Sequence, residues 1–139
     1  MTTTLRAIRA GLLVPLALLL AGAAPAAHGA PGHGLPGNWL RLAVTRGDAR
    51  VGDAPGVLLL CDPPRGHAHA AQACRQLAAA GGDIGRIRSR AGAMCPMLYA
   101  PVTASAHGAW DGRRVDYTHA FSNSCVMGAE TGAVFDLSG

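Results

Sequence analysis

The nine residues Ala93-Met94-Cys95-Pro96-Met97-Leu98-Tyr99-Ala100-Pro101 hold one cysteine, two prolines and no charge. The prolines decide what this segment is able to become. Pro96 fixes its own φ near about −65° and pushes Cys95 toward extended geometry, and Pro101 does the same to Ala100. A helix is therefore ruled out, and the chain between the two rings runs extended. A Met-Leu-Tyr run in that state is ordinarily a buried strand that delivers Met97, Leu98 and Tyr99 to a core. The cysteine allows a different outcome, because an extended apolar segment that is anchored and turned outward has the shape of a bound peptide substrate.

The N-terminal stretch does not belong to the fold. Arg6 and Arg9 precede an apolar run from Gly11 to Ala23, and Ala24-Pro25-Ala26 supplies small residues for cleavage. This is the pattern of a secretory signal peptide. Thirteen apolar residues fall short of the about 20 needed to span a bilayer, so residues 1–26 read as a leader and not a membrane anchor. Cleavage is placed after Ala26, with Ala23 and Ala30 as alternatives, and the mature protein is expected to be secreted and extracellular. The remaining 113 residues make one domain.

All 12 basic residues are arginine, and without Arg6 and Arg9 ten of them face eight acids, a net charge of +2. Only Arg86-Arg88-Arg90 and Arg113-Arg114 are locally dense. That distribution reads as solvated faces and lacks the clustered patch of a nucleic-acid binder. Four cysteines in a short exported chain imply two disulfides, for which three pairings exist. Structural zinc is disfavoured, since no two cysteines have the close Cys-x2–4-Cys spacing it uses.

Along the chain, Ala27 to Gly37 is rich in Ala, Gly, Pro and His and is expected to be a disordered lead-in. Leu40, Leu42 and Val44 alternate with Arg41, Ala43 and Thr45, which predicts a strand from Asn38 to Val44 with one face inward. Arg46 to Gly56 reads as a turn region, and Val57 to Leu60 as a buried strand ending at Cys61. Asp62-Pro63-Pro64-Arg65-Gly66 cannot continue that strand and makes a turn. Ala70 to Ala80 is a strong helix former stopped by Gly81-Gly82. Asp83 suits an N-cap for a short helix through Arg88, with Ile84 and Ile87 on one face. Asp111-Gly112 is a favoured two-residue hairpin turn between strands at 102–109 and 114–121, with Val115, Tyr117, His119 and Phe121 on one side. Val134 to Leu137 reads as a last strand after a turn at Gly128 to Gly132. The sum is an α+β fold, an antiparallel sheet with short helices packed on it.

No catalytic apparatus emerges from the sequence. His67-x-His69 would need a third metal ligand from elsewhere. Ser122 and Ser124 lie near His119 without a Gly-x-Ser-x-Gly elbow, and Gly81-Gly82-Asp83 lacks the spacing and the lysine of a phosphate loop. No metal, cofactor or enzymatic activity is expected.

Five segments, in order, carry a resemblance: Leu58-Leu59-Leu60-Cys61; Ala73-Cys74-Arg75-Gln76-Leu77-Ala78-Ala79-Ala80-Gly81-Gly82-Asp83; Met94-Cys95-Pro96-Met97-Leu98-Tyr99; Val115-Asp116-Tyr117; and Phe121-Ser122-Asn123. Together they make residues 38–139 similar to the Streptomyces subtilisin inhibitor family, the subtilase-type serine protease inhibitors. The loop before Cys74 is shorter than that family's. The resemblance implies disulfides Cys61 with Cys74 and Cys95 with Cys125; rings of these sizes each stabilise by about 3 to 4 kcal/mol on a chain-entropy basis. It implies Met97-Leu98 as the reactive bond, Met97 in the protease's primary pocket, and Met94, Cys95, Pro96 and Tyr99 as protease contacts. It further implies that Asn123 supports the loop from beneath, that the partner is a subtilisin-like serine protease with chymotrypsin-like ones as a second class, and that the protein is a homodimer formed by sheet packing. The competing expectation is a secreted, disulfide-stapled interaction or scaffold module without inhibitory activity.

Overall fold

Five strands, two helices and one 3₁₀ turn succeed one another in this computed structural model, which describes Leu35 and residues 37–47, 49–50, 52 and 54–138. The leader, and the lead-in apart from Leu35 and Gly37, lie outside the described residues. Strands β1 (Trp39–Arg46), β2 (Val57–Cys61), β3 (Pro64–Arg65), β4 (Val102–Trp110) and β5 (Arg113–Phe121) form one antiparallel sheet in the order β3-β2-β1-β4-β5. The β4–β5 hairpin closes on Asp111 and Gly112, both at positive φ (48° and 73°). That is the backbone a two-residue turn needs if its twist is to match the strands. In the β1–β4 ladder Gly108 lies opposite Leu40, where a Cβ would run into the Trp39 carbonyl.

Alternation puts Leu40, Leu42, Leu59, Val102, Ala104, Ala106, Trp110 and Phe121 on one side of the sheet, all buried. Helix α1 (Ala70–Ala79) covers them with Ala73, Cys74 and Leu77, and helix α2 (Ser124–Thr131) adds Met127. Leu40, Leu42, Leu59 and Leu77 have no exposure, and burying each such side chain is worth about 1.5–3 kcal/mol. Helix α1 stops where the sequence says it should. Gly81 and Gly82 sit at positive φ, the Gly82 N–H reaches back to the Leu77 carbonyl (2.8 Å) and the Gly81 N–H to that of Ala78 (3.1 Å). These two bonds form a Schellman cap.

Several expectations need correction. The first strand begins at Trp39 and continues to Arg46, and its outward residues Ala43 and Thr45 are buried too. In β2 only Leu59 is fully buried, because the strand lies one place from the sheet edge. Pro64 and Arg65 do form a strand, of two residues, at that edge, where proline's missing N–H costs the ladder nothing. The segment after Asp83 is a single 3₁₀ turn, Ile84–Arg86, that ends short of Arg88, although Asp83 does cap it and Ile84 and Ile87 are buried.

The largest correction is at the C-terminus. Residues 128–132, read as a turn, mostly belong to α2, and Val134 to Leu137 forms no strand. Its backbone finds side chains instead of a neighbouring strand: the Ala133 N–H donates to Gln76 Oε1 (2.8 Å), and the Val134 carbonyl lies 3.2 Å from His67 Nε2. Val134 and Phe135 are nonetheless core residues, with Phe135 stacked on Tyr117 at 5.9 Å.

Candidate functional site

The segment between the 3₁₀ turn and β4 is neither strand nor helix, and after the buried Ile87 its large apolar side chains, from Met94 to Tyr99, are exposed. Met97 is fully exposed, Met94 95%, Tyr99 80% and Leu98 62%. A run of large apolar side chains held in water is what a surface built for a partner looks like. The buried-strand alternative for Met97, Leu98 and Tyr99 is therefore excluded. Pro96 is exposed and Cys95 half-buried.

The loop is tied at both ends and in the middle. At its start the Arg90 N–H donates to the Ala129 carbonyl in α2 (2.8 Å), and a turn brings the Ala93 N–H to the Arg90 carbonyl (3.3 Å). At its end the Ala100 N–H donates to the Ser122 carbonyl (2.9 Å), and the Pro101 carbonyl accepts from Gly47 (3.1 Å). Cys95 is bonded to Cys125 in the first turn of α2, with Cα atoms 5.6 Å apart; the other disulfide joins Cys61 to Cys74 and fastens α1 to β2.

Asn123 joins the loop to that helix. Its side-chain oxygen accepts from the Val126 N–H (3.0 Å) and caps α2, while its amide nitrogen donates to the Pro96 carbonyl (3.3 Å) and the Leu98 carbonyl (2.9 Å). The residue is buried, so water competes little for these bonds. They grip the peptide groups on either side of the Met97–Leu98 peptide and leave the Met97 carbonyl unbraced. Among the described residues no intramolecular backbone bond engages the N–H of Met94, Cys95, Met97, Leu98 or Tyr99, so these donors are open to an incoming chain.

Sequence reasoning missed that α2 is the platform. Asn123 as N-cap and Gly132 at φ +62° bracket eight residues, a start and stop signal that was present in the sequence.

His67, His69 and Asp136 fasten the C-terminal segment. His67 Nδ1 accepts from the His69 N–H (2.9 Å), which leaves the proton on Nε2 for the Val134 carbonyl, and His69 pairs with Asp136 at 3.3 Å. Burial lowers the His67 pKa, partly countered by the Val134 bond. Among the described residues no group of three or more His, Cys, Asp or Glu side chains could hold a metal.

A family profile described as subtilisin inhibitor-like matches residues 36–123. A Streptomyces avermitilis protein whose name proposes a serine protease inhibitor is 56% identical, over 99% of this chain and 91% of its own. The subtilisin inhibitor of Streptomyces albogriseolus is 43% identical, over 87% of this chain and 88% of its own. A chain in the crystal structure of Streptomyces caespitosus sermetstatin in complex with Bacillus licheniformis subtilisin superposes with a TM-score of 0.57 at 31% identity, covering 70% of this chain and 96% of that one.

Proposed function

The chain belongs to the subtilisin inhibitor-like family, and from that membership we propose that it is a secreted, substrate-like inhibitor of subtilisin-type serine endopeptidases with Met97-Leu98 as its reactive bond. The observation that carries the reading is the Asn123 bridge, which clamps the carbonyls of Pro96 and Leu98 while Met97 stands free between them. In the complex, Met97 enters the primary pocket and its unbraced carbonyl meets the serine nucleophile and the oxyanion donors. Met94 fills an apolar subsite three residues upstream. The unpaired N–H groups from Met94 to Tyr99 supply main-chain hydrogen bonds as an added strand does, with little demand on side chains.

Rigidity separates an inhibitor from a substrate. The disulfide and Asn123 order the loop before binding, so little conformational entropy is lost in the complex. After cleavage the same two ties hold Met97 and Leu98 together, which favours religation over product escape. Protease–inhibitor pairs of ordinary interface size are among the tightest known.

The homodimer implied by the resemblance has a candidate surface on the sheet face turned away from both helices. There Trp39, Leu58, Leu60, Thr103 and Ser105 are partly exposed over the buried Ala43 and Thr45, with Arg41 and His107 among them and Arg114 beside them.

Exchange of the primary-pocket residue tests the placement of the reactive bond. Met97→Lys retains inhibition of subtilisin, whose pocket accommodates a lysine stem, and gains trypsin, whose pocket has a carboxylate at its base. Pairing that buried carboxylate tightens the trypsin inhibition constant by about 100-fold or more. Constants for both enzymes that stay at parental values refute the placement.

A further inference from the structure

Three arginines lead into the loop. Arg86, Arg88 and Arg90 are all exposed, whereas Ile84 just before them and Ile87 between the first two are buried and fix the segment to the core. The turn closed by the Ala93 N–H on the Arg90 carbonyl folds the chain back, so that Arg90 and Met94 line one cavity of about 820 Å³. Among the described residues none of the three arginines has a carboxylate within ion-pair distance; the ion pairs are His69 with Asp136 and Arg114 with Asp116. Glu130 follows the carbonyl that anchors Arg90 without pairing with it. From Ile84 to Trp110 the sequence contains no acid at all. The whole chain carries only a small net charge, yet every formally charged residue from Ile84 to Trp110 is one of these three arginines; Asp136 is the one carboxylate among the residues that line the cavity with Arg90.

We propose that Arg86, Arg88 and Arg90 form an electrostatic guide that selects proteases with carboxylates along the cleft rim beside the subsites for residues N-terminal to Met97. The proposal rests on the assignment of Met97-Leu98 as the reactive bond and names the kind of partner that assignment leaves open. Arg90 is four residues from Met94, at most about 14 Å of extended chain, and the turn shortens this. It therefore acts within roughly one to two Debye lengths at physiological salt, where the screening distance is about 8 Å. Arg86 and Arg88 lie further out and contribute to the long-range field felt before contact. Exposed arginines of this kind change the association rate more than the lifetime of the complex.

The test is stopped-flow association of the mature protein with a subtilisin whose rim bears such carboxylates, at low and high salt. The triple variant Arg86→Ala, Arg88→Ala, Arg90→Ala should associate about tenfold more slowly at low salt, with a flatter salt dependence and an unchanged dissociation rate. The triple Arg→Lys variant should keep the parental rate, as should Arg75→Ala, an exposed position on α1. Changing the protease's rim carboxylates to amides should abolish the difference between parent and triple-alanine variant. A triple-alanine variant that inhibits and associates at the parental rate at low salt overturns the guide while leaving the reactive bond intact. A parent that fails to inhibit at all overturns both.

Discussion

Asn123 has two jobs that point substitutions separate. Asn123→Ala removes the helix cap, worth about 1 kcal/mol, and two buried hydrogen bonds to the loop, each worth about 1 kcal/mol. Thermal unfolding should show a loss of about 2 to 3 kcal/mol, with faster cleavage at Met97-Leu98. Asn123→Asp keeps the oxygen that caps Val126 and removes both donors to Pro96 and Leu98. It should keep most of the helix stability and still be cut faster, since a carboxylate now faces two carbonyls. Equal resistance to cutting in parent and both variants would remove Asn123 from the mechanism. At Met97 itself, oxidation to the sulfoxide puts a polar group where an apolar pocket must be filled, and its full exposure makes it reactive. Peroxide should weaken inhibition by the parent and leave Met97→Leu unaffected; equal weakening of both would assign the effect to another methionine, such as Met94.

At the level of elements, two attachments can be tested independently. Replacing Cys95 and Cys125 together by serine frees the loop from α2 and should convert the inhibitor toward a substrate, with a stability loss of about 3 to 4 kcal/mol. Mass spectrometry for the cut at Met97-Leu98, alongside circular dichroism, distinguishes this from unfolding; a folded variant that inhibits as tightly as the parent would contradict it. The C-terminal segment hangs on His67, whose pKa is lowered from 6.5 by burial, with His69 adding to the shift and the Val134 bond and Asp136 opposing it. The unfolded chain takes up a proton where the folded chain does not. Stability is therefore full above about pH 6.5 and falls as the pH drops through the lowered folded value. Melting temperatures of the parent should decline more steeply over that window than those of His67→Gln, and identical slopes would exclude this role. Elements with local signals were legible in the sequence: α1 with its glycine cap, the Asp111-Gly112 hairpin, and Asp83 as a cap. The β3 edge was not, because two residues pair only through a tertiary neighbour. Val134 and Phe135 looked like a strand because burial, not pairing, selects their apolar side chains. Helix α2 was hidden by Gly128 in its middle. As for the site, the local pattern of Met97-Leu98-Tyr99 points to a buried strand. What ties the run at the surface is Cys125 and Asn123, distant in sequence, so only the resemblance to a known family pointed to an outward loop in advance.

For the molecule as a whole, the sheet separates two tasks. One face is a core sealed by both helices, and the loop emerges beside it at the junction of β4 and α2. If the opposite face meets a second copy, as proposed, sedimentation should give about twice the monomer mass. Ser105→Arg, which adds a charge to a partly exposed position of that face, should halve that mass without loss of inhibition; a monomeric parent would end the homodimer proposal and leave the loop untouched. If the proposed function holds, a protease grips this chain at Met97-Leu98 instead of digesting it. The most direct measurement incubates sub-stoichiometric subtilisin with the mature protein, titrates residual activity, and follows the inhibitor by mass spectrometry. Activity should be lost stoichiometrically while the chain stays largely intact, with a slowly appearing minor species cut only between Met97 and Leu98 and still joined through Cys95–Cys125. Undiminished protease activity with progressive digestion, or tight inhibition with the persistent cut elsewhere, would contradict it.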